Sequence, residues 1–460
     1  MPNQGAIASE AAVSQVAEAV AGLFPLRLTP FEYYYLLEDR RDYPAVFHIR
    51  LECRGTLDRE AFARAFQLAH TRHPLLSARL ERDRSGWPIW VAGRPEPIHW
   101  DYDPGASSEE FHGSHISARL RANVIQDGDR SVLSFVFHHV AVDGMGGFLF
   151  IADLMLAYAH YSLGEPGPPK LRALETPLLR ERNEHTLSRR GIRPIDLVRL
   201  PRVTLPLLFQ RVALFGRRDK RAPESCDESL ASEYLIHTLS EQETALLSHV
   251  AQKLEVRLHE LLLRDYFLML AAWNQNSDEA RRPMRVLVPT NLRRREHFRM
   301  PAANVFGYTF LTRRSRDCGD RSRLLLSIRS EMAAIKSGRR ALYHEAGLRL
   351  SCVWPRFLKW SLERKGPFAT AVFTNLNAGF DRVPLPGREG RRVAGELIVE
   401  NGYGAGPIRP DTRVSLAVHN YAGRMSIALR SDHKVFGPHE QNAILQAYLE
   451  QLRTTMDSCS

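Results

Sequence analysis

The sequence predicts an α/β protein made of two domains of similar character. Three observations lead there. At 460 residues the chain is too long for one compact core and suits two domains of ordinary size. Short apolar strand signals alternate with longer helical ones in both halves. Between the halves lie a Gly/Pro-rich stretch, Gly164 to Pro169, and an unusually basic region. The expected division is an N-terminal arm over 1–25, a first domain over 26–175, a connector over 176–231 and a second domain over 232–460.

The first domain can be followed element by element. Met1 to Gly22 is alanine-rich without a basic leading region, so it reads as a short amphipathic arm rather than a signal peptide. Thr29 suits a helix N-cap, with Pro30 at the first helical position and Glu32 at the third. Phe47 to Leu51 alternates as a strand, placing Phe47, Ile49 and Leu51 on one face. Asp58 opens a helix with Phe62, Ala65, Phe66 and Ala69 on its apolar face, and Pro74 stops it after His73. Trp87 to Val91 is a short strand. Ser131 to Phe137 reads as a buried strand, and Phe148 to Tyr161 as a helix. Between these two lies HHVAVDG, His138 to Gly144, in a tight strand-to-helix connection.

The connector is the oddest stretch. Thr186 to Arg221 carries ten basic residues against two acidic ones, a local net charge of +8, interleaved with leucine, isoleucine, valine and phenylalanine. Pro201 and Pro206 are expected to prevent a single long helix there. Two readings stay open: a crossover packed onto both domains, or a surface for lipid headgroups or an acidic partner.

In the second domain, Ser240 to Lys253 is a helix with a Ser240–Glu243 capping box. Leu258 to Trp273 is a buried helix. Arg285 to Pro289, Ala371 to Thr374 and Val414 to Val418 are strands. Met425 to Leu429 pairs with the last of them through the turn Asn420 to Gly423, and Pro438 to Leu452 closes the chain as a helix. No internal repeat of fixed period is visible, which argues against solenoids and propellers.

Composition narrows the function. Apolar residues at 44% and charged ones at 25% match soluble globular proteins. No apolar run is long enough for a transmembrane helix. Cys53, Cys226, Cys318, Cys352 and Cys459 are odd in number, scattered and without CxxC spacing. That pattern suits neither a disulfide framework nor a zinc site and points to the cytoplasm. The net charge of +11 reflects either arginine on solvated faces or an anionic partner: a nucleotide-bearing cofactor, an acidic carrier protein or a membrane surface. Nucleic acid is disfavoured, because no recognition motif or aromatic-interleaved basic stripe accompanies the charge.

The chemistry sits in HHVAVDG. A histidine just past a buried strand is presented at a sheet edge, where ligands commonly bind in α/β proteins. Its near-neutral pKa suits proton abstraction from an alcohol or amine. Asp143 has two readings: N-cap of the following helix, or partner of a distant arginine that fixes the loop. Gly144, Gly146 and Gly147 leave space beside the histidine. A metal site is disfavoured, since His138 and His139 alternate faces and no third soft ligand has suitable spacing.

HHVAVDG resembles the HHxxxDG signature of the condensation-domain and CoA-dependent acyltransferase superfamily. That superfamily includes polyketide-associated acyltransferases, wax ester synthase/diacylglycerol acyltransferases, BAHD enzymes and condensation enzymes. Companion stretches resemble it in order: Leu28 to Leu36, Gly55 to Asp58, His73 to Leu76, Val288 to Arg293, Asn304 to Gly307 and Thr374 to Leu376. The BAHD DFGWG motif is absent, and so is an adenylation domain. A free-standing condensation enzyme and a polyketide-type acyltransferase both remain open.

The resemblance implies two chloramphenicol-acetyltransferase-like subdomains in a V with an active-site tunnel between them. It implies an acyltransferase that moves an acyl group from acyl-CoA or an acyl-carrier protein to a hydroxyl or amine of a lipid or secondary metabolite. His139 would be the general base, with no covalent intermediate. His138, Asp143, Gly144 and Arg293 would be structural, Asp143 pairing with Arg293. Asn304, Gly307, Thr374 and Asn375 would shape the fold or tunnel. No tightly bound cofactor and no metal are implied. Partners would be the thioester donor, the acceptor and an acidic carrier protein, with peripheral membrane contact through 186–221 as an addition. The chain would act as a monomer. Alternatives are a condensation enzyme joining carrier-bound substrates by an amide or ester bond, and a non-catalytic recruitment module.

Overall fold

A computed structural model describes residues 22–101, 119–183, 193–216, 234–337, 340–363, 366–376 and 380–458. Most of the expected arm, and Arg189, Arg190, Arg217, Arg218, Lys220 and Arg221 of the connector, lie outside the described residues.

In chain order the first elements are β1 (Leu26–Arg27), α1 (Pro30–Glu38), β2 (Val46–Arg54), α2 (Arg59–Arg72), β3 (Arg79–Arg82), β4 (Pro88–Val91), β5 (His99–Trp100), β6 (Leu120–Asp127), β7 (Arg130–His138) and α3 (Gly144–Ser162). There follow α4 (Pro194–Phe209), β8 (Leu235–Thr238), α5 (Glu241–Lys253), α6 (Leu258–Asn274), β9 (Met284–Asn291) and β10 (Phe306–Arg313). Next come α7 (Arg321–Ser337), α8 (Arg340–Val353), α9 (Pro355–Glu363) and β11 (Ala371–Asn375). The chain closes with β12 (Gly387–Arg388), β13 (Arg391–Ala394), β14 (Leu397–Ala405), β15 (Val414–Tyr421), β16 (Arg424–Ser431) and α10 (Pro438–Asp457).

Two compact units result, and neither is contiguous. The first takes 1–185, 291–306 and 376–404; the second takes 186–290, 307–375 and 405–460. This departs from the linear division expected over 26–175, 176–231 and 232–460. The reason is pairing: β12, β13 and β14 complete the first unit's sheet beside β2. No shift of composition marks such a return of the chain.

In the first unit a seven-stranded sheet runs β12-β13-β14-β2-β7-β6-β5. β2 and β7 pair antiparallel from Val46 opposite His138 to Arg54 opposite Arg130. Phe135 and Phe137 of β7 are buried, and Phe150 of α3 meets Phe137 and Phe66 edge-on at 6.0 Å each. The predicted capping box at α1 forms, with Glu32 N donating to Thr29 Oγ1 and Thr29 N to Glu32 Oε2. Glu32 is also fully buried. Its charge is met by Arg182 at 2.7 and 2.9 Å and by Trp90 Nε1 at 3.1 Å, as a buried carboxylate requires.

In the second unit a six-stranded sheet runs β10-β9-β11-β15-β16-β8. β11 is parallel to both β9 and β15. β15 and β16 form the expected hairpin; Ala422 and Gly423 turn it with φ of 48° and 76°, the left-handed pair that matches strand twist. Leu262, Tyr266 and Phe267 of α6 bury against Val286, Phe373, Leu416 and Leu429 of the sheet.

The expectation that Pro201 and Pro206 break the connector is wrong. α4 runs through both. Each proline removes one helical N–H and costs about 3 kcal/mol in a helix interior. Tertiary contacts offset that cost. Tyr343 Oη of α8 donates to Asp196 Oδ1 at 2.7 Å, and Arg285 Nη2 donates to the Pro206 carbonyl at 3.1 Å. Gly347 of α8 lets Thr204 approach closely; a Cβ there would sit 2.8 Å from Thr204 Cγ2. Among the described residues, no helix is long and apolar enough to cross a membrane.

Candidate active site

β7 carries the motif to the sheet end at His138, and five residues, 139–143, separate it from the start of α3. The loop is pinned by its backbone. His138 N donates to the Arg119 carbonyl at 3.0 Å, and His139 N to the Ala45 carbonyl at 2.8 Å. Asn304 Nδ2 donates to the carbonyls of His139 at 2.7 Å and Val140 at 3.2 Å. The two histidine backbones are thus held from strand and loop alike.

The side chains part ways. His138 is buried, and its Nδ1 accepts from Val140 N at 3.1 Å. That places the ring proton on Nε2, which faces Asp39 Oδ1 at 3.4 Å. Asp39 Oδ1 also accepts from Ala45 N at 2.9 Å, tying the two neighbouring loops. His139 is half-buried. Its ring stacks on Tyr35 with centroids 4.6 Å apart and an interplanar angle of 6°. Phe47 lies 4.6 Å away on a tilt, and Phe306 6.1 Å away.

Asp143 satisfies both sequence readings at once. Its Oδ1 caps α3 by accepting from Gly146 N at 2.8 Å. Arg293 clasps both oxygens, Nη1 to Oδ2 at 2.8 Å and Nη2 to Oδ1 at 2.9 Å. Val305 N adds a fourth bond to Oδ2 at 2.8 Å. A buried pair is costly to desolvate, and here each carboxylate oxygen receives two donors. The carboxylate is fully used by the loop, the helix start and the 293–305 segment. Gly146 is the most tightly enclosed glycine of the loop. A Cβ at Gly146 would stand 3.1 Å from the Ala303 backbone, whereas at Gly144 it would meet only the tip of Leu376.

A second tie holds the same segment. His73, from the HPLL stretch, accepts from Ala302 N through Nδ1 at 2.8 Å. Its Nε2 faces Asp153 Oδ2 at 3.2 Å, and Arg72 Nε donates to the same oxygen at 2.8 Å. Burial opposes ionisation of Asp153, but the His73 bond and the charges of Arg72 and Arg172 outweigh it and hold the carboxyl at about 2. Burial pushes His73 below its usual range.

The first unit therefore gathers His138, His139, Asp143, Gly144, Arg293 and Asn304. Gly307, at the start of β10, and Thr374 and Asn375, at the end of β11, belong to the second unit. Tyr35, Asp39, Phe306 and Asp153 are not singled out by sequence reasoning. Tyr35 has a usable signal, since it follows Phe31 by one helical turn and both are buried.

No family model matches the chain. The chain is 31% identical over 167 residues to an uncharacterized protein of Mycobacterium tuberculosis, covering 31% of this chain and 36% of that one. It is 26% identical over 217 residues to chondramide synthase of Chondromyces crocatus, covering 43% of this chain and 5% of that one. It thus spans well under two thirds of either relative. Solved structures match far more completely. The first condensation domain of the CDA synthetase superposes with a TM-score of 0.69 at 15% identity, over 94% of this chain and 96% of that one. The starter condensation domain of rhizomide synthetase, solved with C8-CoA, gives 0.67 at 14% identity over 94% and 95%. Polyketide synthase associated protein 5 of Mycobacterium tuberculosis gives 0.63 at 17% identity over 95% and 100%. The resemblance read from HHVAVDG and its companion stretches thus holds at the level of architecture, and the chain has the condensation-domain fold.

Proposed function

We propose that the chain transfers an acyl group from a thioester to a hydroxyl or amine, with His139 as general base. One observation carries this reading: the division of labour inside HHVAVDG. His138 and Asp143 are bonded into the loop, while the His139 ring is held by stacking on Tyr35 and by Phe47. These aromatic contacts fix the plane of the His139 ring at the end of β7.

The step is proton transfer coupled to addition. The acceptor O–H or N–H gives its proton to His139 as the oxygen or nitrogen attacks the thioester carbonyl carbon. The adduct re-forms its carbonyl by expelling the thiolate, which takes the proton back from the imidazolium and leaves as free thiol. No acyl-enzyme is needed. Burial pushes the Cys53 thiol up, and Cys318 and Cys352 up to about 12, which unfits them as nucleophiles. Arg293 and Asn304 act by holding the loop, Gly144 by keeping the channel beside His139 open, and Gly307, Thr374 and Asn375 by shaping the fold.

The donor is an acyl-CoA or a phosphopantetheine-linked acyl group used as co-substrate, with no tightly bound cofactor. A net charge of +11 suits either anionic donor. A carrier-bound condensation is the second reading, and the match to chondramide synthase favours it.

The test is free-thiol release by the purified chain with acyl-CoA and acyl-carrier donors, hydroxyl and amine acceptors being supplied. His139→Ala should lower turnover by about 10²–10⁴-fold with an unchanged circular dichroism spectrum. Undiminished turnover in this variant sinks the assignment. A wild-type chain inert toward both donor classes would favour a recruitment module.

A further inference from the structure

Eleven large apolar side chains are exposed among the described residues, and seven of them lie in one sector of the second unit. Along α4, Val198, Leu205 and Phe209 recur at helical spacing on the outward face, with Phe209 68% exposed. At the end of α8, between α8 and α9 and on α9, Leu350, Val353, Trp354 and Trp360 are exposed as well, the two tryptophans 68% and 51%. α4 packs on α8, and α8 on α9, so the residues share one helical substructure. Monomeric proteins rarely leave such concentrations uncovered without a use.

The exposed charges around this sector are mostly positive. Arg199 and Arg202 of α4 and Arg356 and Lys359 of α9 are exposed. The acidic side chains of α4 and α8, Asp196 and Glu345, are buried, leaving Glu363 as the exposed acid. On α9, Arg356, Lys359 and Trp360 fall on one outward face, while Leu358 and Ser361 are buried. Tryptophan beside lysine and arginine is the composition of a helix face at a lipid–water interface, where the indole sits at headgroup level and the cations meet phosphate.

We propose that the α4–α8–α9 sector docks on an anionic phospholipid surface, with Trp354 and Trp360 entering the headgroup layer. The proposal does not depend on acyl transfer. Its partner is a bilayer rather than an acidic protein, because the apolar residues are large, aromatic and spread over three helices with cations between them.

The experiment is co-sedimentation of the full chain with phosphatidylcholine vesicles containing about 30% phosphatidylglycerol, at about 50 mM and about 500 mM salt. The wild-type chain should pellet at low salt, release at high salt and show a blue-shifted tryptophan emission. Trp354→Ala/Trp360→Ala should lose about tenfold or more in partitioning. Arg356→Glu/Lys359→Glu should lose binding at low salt, while Leu163→Ala, at an exposed leucine in the first unit, should keep it. Thermal melting of each variant separates lost binding from lost fold. The proposal is overturned if the wild-type chain stays in the supernatant, or if the folded tryptophan variant pellets equally. Sedimentation velocity showing a dimer that the tryptophan variant abolishes, with no vesicle binding, also overturns it and makes the face a self-association surface.

Discussion

The Asp143–Arg293 knot and the α4–α8–α9 sector break the same rule in opposite directions. One buries a full ion pair; the other exposes tryptophan and phenylalanine. In the knot the departure is compensated within the chain, since four hydrogen bonds meet the carboxylate and Arg293 also donates to the Ala303 carbonyl. In the sector, the exposed apolar faces point away from their own unit's core. A buried charge with its bonds complete is a matter of architecture. An apolar face left in water points to something outside the chain.

The sharpest way to break the comparison is to remove half of the knot. Arg293→Ala leaves a buried carboxylate without its partner and should destabilise the first unit by about 3–5 kcal/mol in urea unfolding. Arg293→Lys should recover only part, because an ammonium cannot repeat the two-pronged contact. A loss under about 1 kcal/mol would mean that the pair is better solvated than its burial implies.

Acid should weaken both units together. Burial pulls His70 of the first unit down to about 3 and His419 of the second down to about 4, from an ordinary 6.5. Between those values the unfolded chain takes a proton that the folded chain refuses, so stability falls as pH drops below 6.5. From pH 7 to 5 each should cost about 2 kcal/mol, seen as a falling melting temperature. His70→Gln or His419→Gln should flatten the slope. Asp153 has the depressed carboxyl instead, so its contribution is kept above its ordinary 3.8 and lost as pH falls toward about 2.

The smallest effect belongs to a pair of the same kind in the exposed sector. Lys359 and Glu363 lie 3.7 Å apart with both side chains more than half exposed. Lys359→Ala should change stability by about 0.5 kcal/mol or less in the same urea assay.

Much of this was legible in the sequence where local chemistry decides structure. The capping boxes at Thr29 and Ser240, the β15–β16 turn and the strand–loop–helix setting of HHVAVDG all depend on residues a few positions apart. The pairing of Asp143 with Arg293 was legible only through the family resemblance, because 150 residues separate them. Helices α7 to α9, strands β6 and β14 and the aromatic wall of His139 were missed. α7 and α8 carry apolar stripes weakened by interspersed arginine. β14, with Asn401, Gly402 and Gly404, has little strand character of its own and is made a strand by pairing beside β2. Tertiary context also overrode local signal at Pro201 and Pro206.

The discontinuity of the first unit has a consequence in time. A ribosome delivers HHVAVDG long before Arg293, Asn304 and Val305, and it delivers β14 later still. Until residue 305 has emerged, the Asp143 carboxylate has no arginine to clasp and the His139 loop lacks the amide that holds its carbonyls. The nascent first half therefore waits as an unfinished sheet with an open edge at β2, in need of protection during synthesis. A fragment ending at residue 185 would keep the signature histidines and lose the groups that set them in place.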